Sequence, residues 1–273
     1  MGPIARAGTL PAALDVASNG SISRPYMLTR LCAFRLRSLE MDDLVQLRDK
    51  VAVSCNILAI EGHWDNVLGH VSARVPGENA MLMKPHSFGF EEIRPYHIIK
   101  VDFDGNKIEG DYERHSEVFI HTEIYKARPD VNCVIHSHPP YATAFGSLRQ
   151  PLRPVSHEGS IFHDGLPLFD YTTVLIRTPE LGVEVAKSLD RYRGVLMKNH
   201  GSTVVGESVE VATLYAIFLE KACRIQLLAT ASGDPSWSTD EEAREKYLQI
   251  YTPHRLGSMW AYFVRRAKRL AID

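Results

Sequence analysis

The sequence predicts an α/β domain built on a mostly antiparallel sheet. Short apolar runs of strand character come in groups, without the strict strand–helix alternation of a (β/α) barrel. One such run, HIIKVDFDG, ends in Asp104-Gly105, a strong signal for a tight antiparallel hairpin. Between the groups, apolar residues recur every three or four positions, which is the helical period.

Each element has its own signal. From Met41 to Gly62, Leu44, Leu47, Val51, Cys55 and Leu58 form one apolar face, and Gly62 can end the helix. NVLGHVSARV, AMLMKP and HIIKVDFDG read as strands. HSEVFIHTEIYKARPD reads as a helix, with Ser116 as its cap, Ile120, Ile124 and Ala127 as its stripe and Pro129 as its stop. VNCVIHSH is a strand, and Pro139-Pro140 opens the helix that follows. TPELGVEVAKSLD is a helix with a Thr cap, and GVLMKNHGSTVVG is strand, tight turn, strand. ESVEVATLYAIFLEKACRIQLLATA is a long amphipathic helix, and Asp240 to Asp273 gives one or two more.

Composition narrows the function. The chain has 273 residues, with 31 basic and 33 acidic, a formal net charge of −2. That balance gives no electrostatic case for nucleic acid or an anionic membrane, and no apolar stretch approaches the length of a membrane span. Four separated cysteines without a CxxC pair read as reduced thiols. Residues 1–40 read as a loose arm ahead of a single domain over 41–273. Arg30, Arg35 and Arg37 interrupt the arm's apolar patch, a poor signal-peptide core, so the expected location is the cytoplasm.

The chemistry concentrates in histidines. His136 and His138 are two apart on a strand and therefore project to one face. Two imidazoles so placed can share one metal. They can also be two ordinary histidines at a strand end. His200, in KNHGS, sits at an equivalent strand-to-turn position beside Gly201 and makes a three-histidine site plausible. Glu117, at a helix start, is either a dipole-favoured capping residue or a catalytic carboxylate, with His121 one turn on as a potential partner.

Several separated motifs, taken in order over Asp43 to Ala229, resemble the class II aldolase/adducin family. They are GHVSAR (Gly69–Arg74), SE within HSEVFIHTEIYKARPD, VIHSH and LMKNHG. The resemblance implies a three-layer α/β/α fold with a central, mostly antiparallel sheet. It implies one divalent metal, Mn, Zn, Fe or Co, held by His136, His138 and His200, with Glu117 as acid/base. It also implies a homotetramer with active sites at subunit interfaces.

Departures from the family's sugar-phosphate aldolases shape the expected substrate. His70 replaces their Asn, ahead of Ser72 in the same loop, and Arg114-His115-Ser116-Glu117 replaces their Ser-Ser-Glu. A histidine and an arginine there suit a carboxylate on a planar substrate rather than a phosphate. His157 falls about where the aldolases place a catalytic tyrosine, and His163 either lines the same pocket or is an ordinary surface or core histidine. Lys84 and Ser87, in MKPHSFGF, are candidate substrate contacts, Lys84 to an anion or simply solvated.

The branch this sequence looks like is the decarboxylases of aromatic and heteroaromatic breakdown. The expected reaction is metal-assisted loss of CO₂ from a hydroxylated aromatic, heteroaromatic or enol carboxylic acid, with Glu117 or His157 returning the proton. The alternatives are an aldolase, a non-haem iron oxygenase, and a non-catalytic adducin-like module. The retained histidines and Glu117 speak against the last.

Overall fold

The computed structural model describes residues 42–270. The arm expected over 1–40, and Cys32 with it, lies outside the described residues. Eight strands form one sheet in the order β4-β3-β2-β1-β5-β8-β7-β6. They are β1 (His70–Arg74), β2 (Ala80–Met83), β3 (Ile99–Asp102), β4 (Lys107–Glu109), β5 (Cys133–Ser137), β6 (Leu168–Phe169), β7 (Gly194–Met197) and β8 (Gly201–Gly206). Every pairing is antiparallel except β6 with β7. The predicted turn at Asp104-Gly105 joins β3 to β4, with Gly105 at φ +87°.

Helices cover both faces. Helix α1 spans 42–58, α2 is Val118–Ala127, α3 is Pro140–Gly146 and α4 is Pro179–Leu189. The remaining three are α5 (Val209–Ser232), α6 (Asp240–Ile250) and α7 (Pro253–Leu270). Strand pleating divides the core in two. Val71, Ala73, Leu82, Cys133 and Ile135 pack against α1, α3, α5 and α7. Met81, Met83, Val101, Val134 and Val205 pack against α2 and α4. The result is the expected three-layer α/β/α arrangement around a mostly antiparallel sheet. Among the described residues no helix is long and apolar enough to cross a membrane.

Local chemistry sets most boundaries. Thr178 caps α4 by accepting from the Leu181 N–H, and Pro140 opens α3. Gly62 takes φ +90°, so α1 runs one wide turn further and delivers His63 beneath the sheet. One expected cap fails. Ser116 is exposed and does not cap α2, whose N-cap is Glu117, itself without a side-chain capping bond.

Candidate metal centre

β5 and its two neighbours assemble the centre by register. His70 of β1 lies opposite His136 of β5, and His136 lies opposite Thr203 of β8. His136 shares its face with Val134, the face that carries α2 and α4. His138 follows at the strand end. His200 sits in the β7–β8 turn, where Asn199 takes φ +54°. Gly201 is required there, because a Cβ would lie 2.5 Å from Ser137 O and 2.6 Å from His138 Cδ2.

Hydrogen bonds fix which nitrogens face inward. Thr203 Oγ1 donates to Met197 Sδ and so accepts from His136 Nδ1–H at 3.1 Å. His138 Nδ1–H donates to Asp65 Oδ2 at 2.5 Å. Both Nε2 atoms are therefore lone pairs, and they face each other at 3.0 Å. Two converging lone pairs at that distance repel unless a cation lies between them. His200 Nε2 is buried without a hydrogen-bond partner among the described residues. One nitrogen from each of the three rings lies within 4.8 Å of the others. Two histidines with anchored outer nitrogens, His136 and His138, and a third, His200, whose nitrogen converges on theirs fit a divalent ion at about 2.0–2.2 Å.

Glu117 borders this centre. Its Oε1 accepts from the Ile176 N–H at 2.8 Å, and its Oε2 is 3.7 Å from His200 Nε2. Burial pushes the carboxyl up, but His200 and the Ile176 N–H outweigh it and hold Glu117 below the usual carboxylate range. Glu117 is thus ionised at neutral pH and ready to accept a proton. Burial, then the neighbouring His138 and His200, keeps His136 well below the usual imidazole range. Burial and His200 lower His138 as well, against the pull of Asp65. Neutral imidazoles are the metal-binding form.

Residues 49–227 match the family described as Class II Aldolase and Adducin N-terminal domain. The chain belongs to this family. It is similar to the 3,4-dihydroxyphthalate decarboxylase of Arthrobacter keyseri, with 33% identity over 68% of this chain and 79% of that protein. It is 36% identical to Decarboxylase NovR of Streptomyces niveus over 63% of this chain, spanning 64% of that protein. A solved L-fuculose 1-phosphate aldolase from Glaciozyma antarctica PI12 shares the fold, with a TM-score of 0.76, 24% identity, and 85% and 92% of the two chains covered.

Within this family fold, the expected substrate contacts fall into three groups. His70 and His115 lie beside the centre, with ring centroids 4.9 Å (His70–His136) and 4.6 Å (His70–His115) apart. Arg114 is half-buried, donates to His115 O, and has no carboxylate partner among the described residues. Ser72 and Lys84 are both wholly buried, behind His70 and His115. The Ser72 hydroxyl bonds His121 and Tyr125, and the Lys84 ammonium bonds Val67 O, Pro85 O and His115 Nε2. Lys84 thus touches His115, which lies beside the centre. Burial brings the Lys84 pKa down to about 8.

The third group makes no hydrogen bond or ring contact with His136, His138 or His200 among the described residues. Ser87 is exposed at φ +71° and bonded to His86. His157 is exposed, on a groove lined by Phe218, Tyr251, Met259 and Phe263, none of them in the histidine centre. His163 packs on Tyr247 with ring centroids 5.6 Å apart. His121 is not the partner of Glu117: its nitrogens bond His70 and Ser72, each at 2.6 Å.

Asp65, Thr203 and the Ile176 N–H escape the sequence reading. Thr203 was within reach of it, because aligning β8 against β5 in antiparallel register sets it opposite His136. Asp65 and Ile176 come from irregular segments with no periodic signal.

Proposed function

We propose that this chain is a divalent-metal-dependent carboxy-lyase that removes CO₂ from a hydroxylated aromatic, heteroaromatic or enol carboxylic acid. The observation that carries this reading is the convergence of one nitrogen each from His136, His138 and His200, two of them fixed as lone pairs, beside the Glu117 carboxylate. The similarity to a 3,4-dihydroxyphthalate decarboxylase supports it. His136, His138 and His200 would hold the metal, which as a Lewis acid supplies a sink for the negative charge that CO₂ loss leaves behind.

The chain's own groups supply the proton chemistry. Glu117, being ionised, first takes the proton of the substrate hydroxyl. Glu117, now protonated, gives that proton to the carbon that bears the carboxylate while the oxyanion's electrons move inward and form a carbonyl. The C–C bond to the carboxylate then breaks, CO₂ leaves, and the electron pair moves onto that carbonyl oxygen. The product oxyanion regains a proton from solvent, so the net reaction consumes one proton. Arg114 and His70 border the site and orient the carboxylate. In a cytoplasmic homotetramer with sites at subunit interfaces, His157 would enter a site only from a neighbouring copy.

The test is anaerobic incubation with Mn²⁺ or Zn²⁺ against a panel of hydroxylated aromatic and pyridine dicarboxylates, read by mass spectrometry. Loss of CO₂ from one compound is expected. Cleavage of a hydroxy-aldehyde or sugar phosphate into two carbonyl fragments, without CO₂, would assign an aldolase instead. Turnover only with Fe(II) and air would assign an oxygenase.

A further inference from the structure

Behind the metal centre a single file of hydrogen bonds runs from α2 through β1 to His70. The Tyr125 phenol oxygen is 2.9 Å from Ser72 Oγ, and Ser72 Oγ is 2.6 Å from His121 Nδ1. His121 Nε2 is 2.6 Å from His70 Nδ1. All four side chains are sealed from solvent, at most 2% exposed. The file ends at His70 Nε2, a buried nitrogen with no hydrogen-bond partner among the described residues.

A file of neutral groups with one proton per gap has only two states, and its far end decides between them. Among the described residues Ser72 Oγ is the one hydrogen-bond partner of the Tyr125 phenol, and a buried O–H left without an acceptor is costly. The phenol therefore gives its own proton to Ser72. Ser72 then donates to His121 Nδ1, which must be bare, so the proton of His121 is on Nε2 and points to His70 Nδ1. His70 Nδ1 accepts, and its own proton is forced onto Nε2. In the opposite state His70 Nε2 is bare and becomes a further metal ligand, as its approach to Glu117 and His136 within 4.8 Å permits.

We propose that Tyr125, Ser72 and His121 are positioning residues that lock His70 as the Nε2–H tautomer. His70 then presents a neutral donor to an oxygen of the substrate carboxylate and is not a metal ligand. This rests on the carboxy-lyase reading for the identity of the acceptor, but not for the tautomer. A neutral N–H between buried imidazoles suits a carboxylate or phenolate oxygen and discriminates against a phosphate dianion, which would call for a cation.

The tautomer is read directly by ¹⁵N magic-angle-spinning NMR of histidine-labelled, zinc-loaded protein, with His70 assigned by its loss in His70→Gln. The expected pattern is a pyrrole-type Nε2 and a pyridine-type Nδ1. The reverse pattern, or a zinc-shifted Nε2, overturns the proposal. Tyr125→Phe removes only an oxygen and is expected to give His70 as a mixture of tautomers. An unchanged single tautomer in that variant also overturns it.

Kinetics separate positioning from bulk. His121→Phe should raise KM about tenfold or more, with metal content and kcat changed far less, since a hydrogen bond to a charged group is lost. His121→Gln offers an amide N–H toward His70 and a carbonyl toward Ser72, and is expected to restore most of the loss. Equal losses in both variants would assign His121 a merely structural role. If no compound in the panel is turned over, the carboxy-lyase reading fails while the NMR still decides the tautomer.

Discussion

Two groups of histidines occupy the same face of the sheet, yet they differ in where their nitrogens go. In His136 and His138 the outer nitrogen is held by a hydroxyl and a carboxylate, and the inner ones converge with that of His200. In His70, His115 and His121 the contacts run among the rings, Ser72, Lys84 and Pro85 O, and His70 Nε2 is buried without a partner among the described residues. Proximity is similar, with ring centroids 4.6 to 5.1 Å apart in both groups. The comparison teaches that closeness of imidazoles does not make a metal centre. What makes one is an outer acceptor that fixes the tautomer and turns a lone pair inward.

Breaking the first group should have the largest effect. His136→Ala is expected to lose its metal and its turnover to background, checked by elemental analysis and assay. Normal metal content in that variant would refute the three-histidine assignment. His115→Phe, in the second group, should keep full metal content. Glu117→Gln should also keep its metal while kcat falls about 10²- to 10⁴-fold, the usual worth of a positioned acid/base. Full activity there would remove Glu117 from the mechanism.

The outer acceptors come next. Asp65→Asn should weaken metal binding about 10- to 100-fold, measured by chelator competition, because His138 loses the carboxylate that fixes its ring. An affinity unchanged from wild type would show that ring packing alone orients His138. Gly201→Ala forces a Cβ to within 2.5 Å of a backbone oxygen, so an overpacking cost of about 1–3 kcal/mol should appear as a lower thermal midpoint.

The sequence showed much of the fold because most boundaries rest on local chemistry. Thr178-Pro179, Pro139-Pro140 and Asp104-Gly105 each act within a few residues, and the structure uses all three. The His-x-His pair and His200 were visible for the same reason, through strand periodicity and an adjacent glycine. What was missed depends on contacts distant in sequence. Asp65 reaches His138 across 73 residues, and the Ile176 N–H reaches Glu117 across 59. The cap expected at Ser116 fails because Glu117 takes the N-cap position and gives its carboxylate to that distant N–H. Lys84 carries no sign in its neighbours that β2 buries it completely. His121 sits one turn from Glu117, as spacing required, but β1 offers it His70 and Ser72, and tertiary pairing wins over helical proximity.

The smallest expected effect comes from the opposite face of β5, where Ser137 meets His63 instead of a converging ring. His63 Nδ1 lies 3.0 Å from Ser137 Oγ, its Nε2 is buried without a partner among the described residues, and burial pulls its pKa down to about 3. Its folded pKa lies below the unfolded value of about 6.5, so the unfolded chain binds the proton first as pH falls. Stability from keeping His63 neutral is whole above about pH 6.5 and declines as pH drops from there toward 3, by at most about 1.4 kcal/mol per pH unit. Burial gives His121, at about 3, and His115, at about 2, the same sign, so several protons contribute to the wild-type slope. His63→Gln keeps a polar group for Ser137 but cannot titrate. In metal-free protein its urea midpoint should fall less steeply than wild type between pH 6.5 and 5, with the two chains equal above pH 7 apart from a constant offset. An unchanged slope would mean that native His63 takes up its proton in that range and is not held neutral by its burial.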